Sequence, residues 1–261
     1  MGKQLRELLK YRELLFILTW KDIRIRYKQS VMGFFWAILM PSLVVGSGII
    51  IKKVFATVSG VPITLEDIAT VSVKAVPWAF FMSAIRFSTN SLVSNGNLLK
   101  KIYFPREILP LSAVLTSLFD FLIAMIGLAV VLAVARVGIS IHILWLPLLI
   151  GFLILLAFSV GLLLSCANLF FRDVKYLVEV VLTFGIFFVP VFYEASRLGK
   201  WSTLLLLNPV ATILESINRV VVLHQPPDGR WIGYLVVCSV LGWIAAWKIF
   251  NWTQPAFAET V

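Results

Sequence analysis

Residues 21–50 read KDIRIRYKQSVMGFFWAILMPSLVVGSGII: four bases within nine residues, then 21 residues, Ser30–Ile50, without a charge. A helix rises about 1.5 Å per residue, so about 20 apolar residues match the hydrocarbon thickness of a bilayer. Bases placed against such a run sit among anionic headgroups and resist translocation, which fixes the side from which the helix inserts. The juxtaposition therefore predicts an integral membrane protein whose first span is anchored at Lys21–Lys28.

The rest of the chain agrees. Of 261 residues, 60% are hydrophobic and 14% charged, against about 45–50% and about 25% in a soluble domain. The net charge of +10 then reports loops at headgroups. Nucleic-acid binding would need an aqueous basic face with aromatics on it, and no such partner is expected. Cys166 and Cys238 lie inside apolar stretches and read as small buried hydrophobes. His142 and His224 are isolated, so no metal-ligand spacing exists and no metal is expected. No cleavable signal peptide is expected either.

Six apolar spans are expected. Val31–Ile51, Ile108–Ala135, Ile143–Phe171 and Trp231–Trp247 are the strong ones; Ile68–Val93 carries Lys74 and Arg86, and Leu177–Tyr193 carries Glu179. Before them, residues 3–19 place Leu5, Leu8, Leu9, Leu15 and Phe16 on one helical face, the pattern of an amphipathic helix lying in the interface, or of a helix packed on a soluble partner. Eight bases precede the first span and two, Lys52 and Lys53, follow it, so the N-terminus is expected in the cytoplasm. An even number of spans returns the C-terminus to that side. Residues 1–29 thus form an interface and basic segment, and 30–261 a six-helix membrane domain. Leu204–Leu223 is apolar at both ends but holds Asn208-Pro209, Glu215 and Arg219. It reads as an external helical hairpin or re-entrant element shielded by protein.

Few residues carry chemistry. There is no G-x-x-x-x-G-K-[ST] loop, no H-E-x-x-H and no G-x-S-x-G, so the chain holds no nucleotide by that device. Glu66-Asp67 reads as a solvated turn or a helix cap. Arg86 and Asp120 lie within successive antiparallel spans at similar expected depth, and ionisable residues there face protein or a watery path. A structural ion pair and a lining for charged cargo both remain open. Glu179 reads as a snorkelling or capping group. Among the many aromatics, Trp36, Trp78 and Tyr193 are candidates to line a channel along which sugar rings slide; interfacial belt and core packing is the other reading. Asn95–Leu111, NGNLLKKIYFPREILPL, mixes bases, aromatics and two prolines between two spans. It is either a helix that docks into a groove on a cytoplasmic partner or a positive-inside loop.

Several stretches, in order, resemble one family. KDIRIRYKQSVMGFFWAILMP, NLLKKIYFPREILPLSAVL, FFRDVKYLVEVVLTFGIFFVPVFY and LLNPVATILESINR are similar to segments of ABC-2-type permeases of the polysaccharide and polyol-phosphate export group, O-antigen export above all. Capsule and teichoic-acid permeases are close kin. The resemblance implies an all-α polytopic fold with six transmembrane helices, an N-terminal interface helix, a cytoplasmic coupling helix at about 95–107 and periplasmic gate helices at about 194–228. It implies a homodimer with two copies of an ATP-binding cassette subunit, which binds ATP and magnesium, so this chain needs no cofactor. Leu98–Arg106 would dock on that motor, with Asn97, Leu98, Leu99, Lys100, Lys101, Tyr103, Phe104 and Arg106 as the contact set. The cargo would be a glycan on undecaprenyl diphosphate, crossing the inner membrane beside the first and fifth spans. Arg24, Arg26, Lys28 and Arg86 then become candidates for the diphosphate, since guanidinium forks suit phosphate oxygens. Two other classes stay open: an ABC-2 exporter of drugs or small lipids, and a membrane-embedded lipid-modifying enzyme. The second would need a polar catalytic cluster that the sequence does not assemble.

Overall fold

The computed structural model describes residues 8–28, 35–60 and 62–257. Among them the regular structure is helical, without strands. The helices are α1 (Arg12–Lys28), α2 (Phe35–Ser59), α3 (Leu65–Ser94), α4 (Gly96–Lys101), α5 (Ile108–Val134), α6 (Leu146–Phe170), α7 (Val174–Gly185), α8 (Trp201–Leu206), α9 (Pro209–Val221) and α10 (Gly229–Thr253). Five stretches of the described residues are long and apolar enough to cross a membrane: Phe35–Val54, Leu65–Ser94, Ile108–Val134, Ile141–Phe170 and Gly229–Ala256.

The expected fifth span is the exception. Leu177–Tyr193 is not one helix. α7 stops at Gly185, a single 3₁₀ turn covers Ile186–Phe188, and residues 189–193 form turns. Pro190 explains the stop: it has no amide to donate, and its ring blocks a continuing helix. At about 1.5 Å per residue the 12-residue α7 extends only about 18 Å. Among the described residues, the expected six spans thus appear as five long helices and the short α7.

α3 is the hub. It packs against α5, α6, α2, α9 and α7, and its residues from Ala69 to Leu92 are mostly buried. Its start is defined by a capping box, in which Thr64 Oγ1 accepts from the Asp67 amide and Asp67 returns the bond to the Thr64 amide. Such a box satisfies two of the orphan donors at a helix start. Asp67 also holds Lys52 of α2 at 2.6 Å, so of the acidic pair Asp67 is both a cap and a tie between two helices. Lys52 and Lys53, expected in a loop, belong to α2 instead.

Small residues set the closest approach. A Cβ on Gly161 of α6 would stand 2.6 Å from Ser88 Cβ of α3, so only glycine permits this spacing. Without a hydrophobic force between helices in lipid, such close packing supplies the contact energy. α3 and α5 run antiparallel in a defined register: Ser88 donates to the Pro110 carbonyl at 3.0 Å, Ser83 and Ser117 share a bond at 3.2 Å, and the Phe80 and Phe121 rings lie 5.1 Å apart.

α1 departs from expectation in extent. The expected helix over 3–19 begins partly outside the described residues, and helix continues through the basic stretch to Lys28. Leu18 and Ile23 are its buried anchors, and it lies against α5. In the stretch expected as an external hairpin or re-entrant element, two helices, α8 and α9, meet at Asn208. The Asn208 side chain accepts from the Val210 amide, and Pro209 occupies the first helical position, where its missing N–H costs nothing. Ten of the 13 residues of α9 are buried.

Candidate functional site

Among the described residues, three clusters of charged and polar groups join the helices besides the Lys52–Asp67 tie. Twelve residues into α5 from the end that carries α4, Arg26 of α1 meets Asp120 at 2.5 Å, and Tyr27 donates its hydroxyl to the other oxygen of Asp120. The Arg26 guanidinium also lies 3.7 Å from the centre of the Phe87 ring of α3. One arginine thus ties α1 to two long helices by a charge-assisted bond and a cation–π contact. Burial, and then the Asp120 carboxylate, push the Tyr27 phenol well above its ordinary range, so it stays a donor at any physiological pH.

Arg86 of α3 binds Glu179 of α7 at 2.6 Å. The pairing expected between Arg86 and Asp120 therefore does not form. The α3–α5 register gives the reason. Ser88 sits at the level of Pro110 and Ser83 at that of Ser117, which places Arg86 opposite the Val114 level, six residues from Asp120. Six residues are about 9 Å of helix, too far for a direct ion pair.

The third cluster lies near the opposite end. Lys74 of α3 is fully buried, and its ammonium donates to Glu215 of α9 at 2.8 Å and to the Tyr193 carbonyl at 3.1 Å. The Tyr193 hydroxyl donates to the Phe187 carbonyl at 3.1 Å. Three segments distant in sequence converge on one ammonium. A buried lysine with a matched carboxylate avoids the large cost of an isolated charge in apolar surroundings. In the sequence Lys74 interrupts one apolar span and Glu215 another apolar stretch. Opposite charges in two apolar segments were the signal that they pair.

The candidate docking loop divides into two faces. Asn97, Lys100, Lys101 and Tyr103 are exposed, Tyr103 at 95%, while Leu98 and Leu99 are half-buried. Helix α4 ends at Lys101, and Ile102 is extended. Phe104 is buried in the core. Arg106 is committed inward: it donates to the Gln254 carbonyl at 2.8 Å and lies 5.4 Å from the Phe257 ring centre.

The headgroup candidates separate likewise. Arg26 and Arg86 are held by carboxylates, whereas Arg24 and Lys28 are exposed and form no ion pair among the described residues. Arg24 stacks over Trp20 at 5.7 Å. The three candidate aromatics do not converge. Trp36 is exposed on α2; Trp78 is 3% exposed, stacked on Phe81 at 5.9 Å; Tyr193 is half-buried near the lysine. Among the described residues no group of histidines, cysteines and carboxylates has the geometry to hold a metal ion.

Residues 13–221 match the model of a family described as ABC-2 type transporter. Along its whole length the chain is similar to an O-antigen export system permease protein, RfbA, of Myxococcus xanthus, at 30% identity over 271 aligned positions that cover all of both chains. Two proteins of the same name from Klebsiella pneumoniae are each 28% identical over 249 positions, covering 95% of this chain and 94% of theirs.

Proposed function

The chain belongs to the ABC-2 type transporter family, and from that premise we propose that it is the membrane permease of an ATP-driven exporter of O-antigen-type polysaccharide. The observation that carries this reading is the end-to-end similarity to permeases named for O-antigen export. Permeases of this family work with an ATP-binding subunit. In our reading two permease chains and two such subunits form the exporter in the inner membrane, with both termini of this chain in the cytoplasm. The interface segment is 1–29 and the membrane domain 30–261. The passage runs between the permease copies, where α2, the least buried of the long helices, offers its apolar length.

Asn97, Leu98, Leu99, Lys100, Lys101 and Tyr103 form the surface on which the motor docks. Phe104 and Arg106 hold that surface in place from behind. At the opposite, external end, α8 and α9 form the gate region, with the Lys74–Glu215 pair fastening it to α3. Arg24 and Lys28, exposed at the inner interface, are the cations free to meet a lipid diphosphate. The cargo in this reading is a glycan carried on undecaprenyl diphosphate.

The test is co-expression of the tagged chain with the ATP-binding protein encoded beside it. One-to-one co-purification is expected, with ATPase activity in nanodiscs and surface polysaccharide in cells. Reversing charge at Lys100 and Lys101 should uncouple hydrolysis from export. A chain that purifies alone, with surface polysaccharide intact in its deletion strain, sinks the reading.

A further inference from the structure

Between α8, α9 and the start of α10 lies a cleft of about 380 Å³, within the ordinary size range of small-molecule sites. It is not apolar. Ser216, Glu215, Arg219, Gln225, Asp228 and Trp231 line it. Glu215 and Arg219 stand four residues apart and share one face of α9. Glu215 gives one oxygen to Lys74, and its Oε1 has no hydrogen-bond partner among the described residues. The Arg219 guanidinium likewise has no ion pair among them, although carboxylates lie in the same cleft.

The cleft is also pre-shaped. The chain leaving α9 turns back so that the Gln225 amide donates to the Arg219 carbonyl at 2.9 Å. Asp228 caps α10 by accepting from the Arg230 amide at 3.0 Å. The Trp231 ring is set edge-on to Tyr234, 5.9 Å between centres at 89°. Tyr234 is itself fixed by donating to the Leu207 carbonyl at 2.5 Å. Loop, helix and aromatic are thus held against one another before anything binds.

The chemistry of the lining selects a ligand class. With Glu215 paired to Lys74 and Arg219 set beside Asp228, the lining carries no excess of positive charge to hold a phosphate or other anion. An apolar ligand would leave these polar groups without partners. A hydroxyl both donates and accepts, so a polyhydroxylated ligand satisfies Glu215 and Asp228 as acceptors, Arg219 as donor and Gln225 as both. An indole face adds apolar contact for a ring's C–H groups. We propose that this cleft is a binding subsite for sugar units of the exported chain, with Glu215 shared between sugar and Lys74. The inference rests on the export reading and gives its external end a ligand.

The experiment uses the full permease–ATPase complex in nanodiscs and saturation-transfer NMR. The probe is the hexasaccharide fraction released by mild acid from the host cell's own surface polysaccharide; inorganic phosphate is the competitor. Ring protons of the probe should saturate in the wild-type complex, and phosphate should not displace it. Trp231→Ala and Gln225→Ala, each checked for unchanged membrane level and monodispersity, should weaken binding roughly tenfold, the loss expected for one aromatic or one well-made polar contact. No saturation, saturation unchanged in both variants, or displacement by phosphate each overturns the subsite. A deletion strain read in parallel separates the two ideas. Loss of surface polysaccharide with no probe at the cleft defeats only the subsite; surface polysaccharide unchanged in the deletion strain defeats the export reading itself.

Discussion

Lys74 and Glu215 lie 141 residues apart in sequence and 2.8 Å apart in space. The lysine is wholly buried and the carboxylate nearly so. A third partner, the Tyr193 carbonyl, closes the arrangement from the turn that follows α7. This one ammonium joins α3 to α9 and to the turn that follows α7.

Glu215→Gln leaves a buried ammonium without its counter-charge, and Lys74→Met leaves the carboxylate without its ammonium. Breaking one partner of a buried pair costs roughly 3–5 kcal/mol. Both single variants should lower the apparent melting temperature of the purified chain in detergent. The double variant Lys74→Met/Glu215→Leu should recover much of the loss. Additive losses would show that the pair does not hold the hairpin.

Toward the other end, Asp120→Asn removes the charge that Arg26 and Tyr27 share. Hydrogen bonds to charged groups contribute about 1.5–3 kcal/mol, so α1 should loosen from α5. Limited proteolysis should then cut near Lys21–Lys28 faster than in the wild type. Asp120→Glu should restore part of the protection. Unchanged cleavage would mean that Leu18 and Ile23 alone seat the helix.

Gly161→Ala inserts a methyl 2.6 Å from Ser88 Cβ. Overpacking of this kind costs about 1–3 kcal/mol. The variant should be less stable, and Ser88→Gly in the same chain should relieve part of the effect by removing the opposing atom. Thermal unfolding followed by intrinsic fluorescence would measure both. A neutral Gly161→Ala would mean that α3 and α6 separate without cost.

Arg106→Ala should release the Gln254–Phe257 turn from the loop that follows α4. The lost charge-assisted bond and cation–π contact together amount to about 2 kcal/mol. Hydrogen exchange should rise at residues 250–257 and in 101–107 together. Arg106→Lys should only partly substitute, because a lysine lacks the planar fork. Exchange rising at one of the two segments alone would show that they are not joined through this side chain.

Most of the long helices were legible because lipid imposes a length. Val31–Ile51, Ile108–Ala135, Ile143–Phe171 and Trp231–Trp247 each overlap a long helix of the structure. Leu177–Tyr193 was not, because summed hydropathy does not register that Pro190 ends a helix before the run is over. Arg86 and Asp120 misled for a related reason. Depth along a helix was readable from the sequence, but the register between two helices is set by Ser83, Ser88 and their partners, whose pairing no composition reveals. The resemblance placed Arg106 in the motor-contact set; its partners in the structure lie about 150 residues downstream, beyond any local pattern. Lys74 and Glu215 were visible as oddities, and their opposite signs were the clue.

The 141-residue separation of that pair also has a consequence in time. A ribosome adding about 5–20 residues per second needs roughly 7 to 28 s to reach Glu215 after Lys74 has been made. Throughout that interval α3 carries a lysine whose counter-charge does not yet exist, in a setting where an unmatched cation is costly. On translocon scales a lone lysine at a helix centre costs about 2.5–3.5 kcal/mol, so α3 enters the membrane carrying a debt that only the late arrival of α9 cancels.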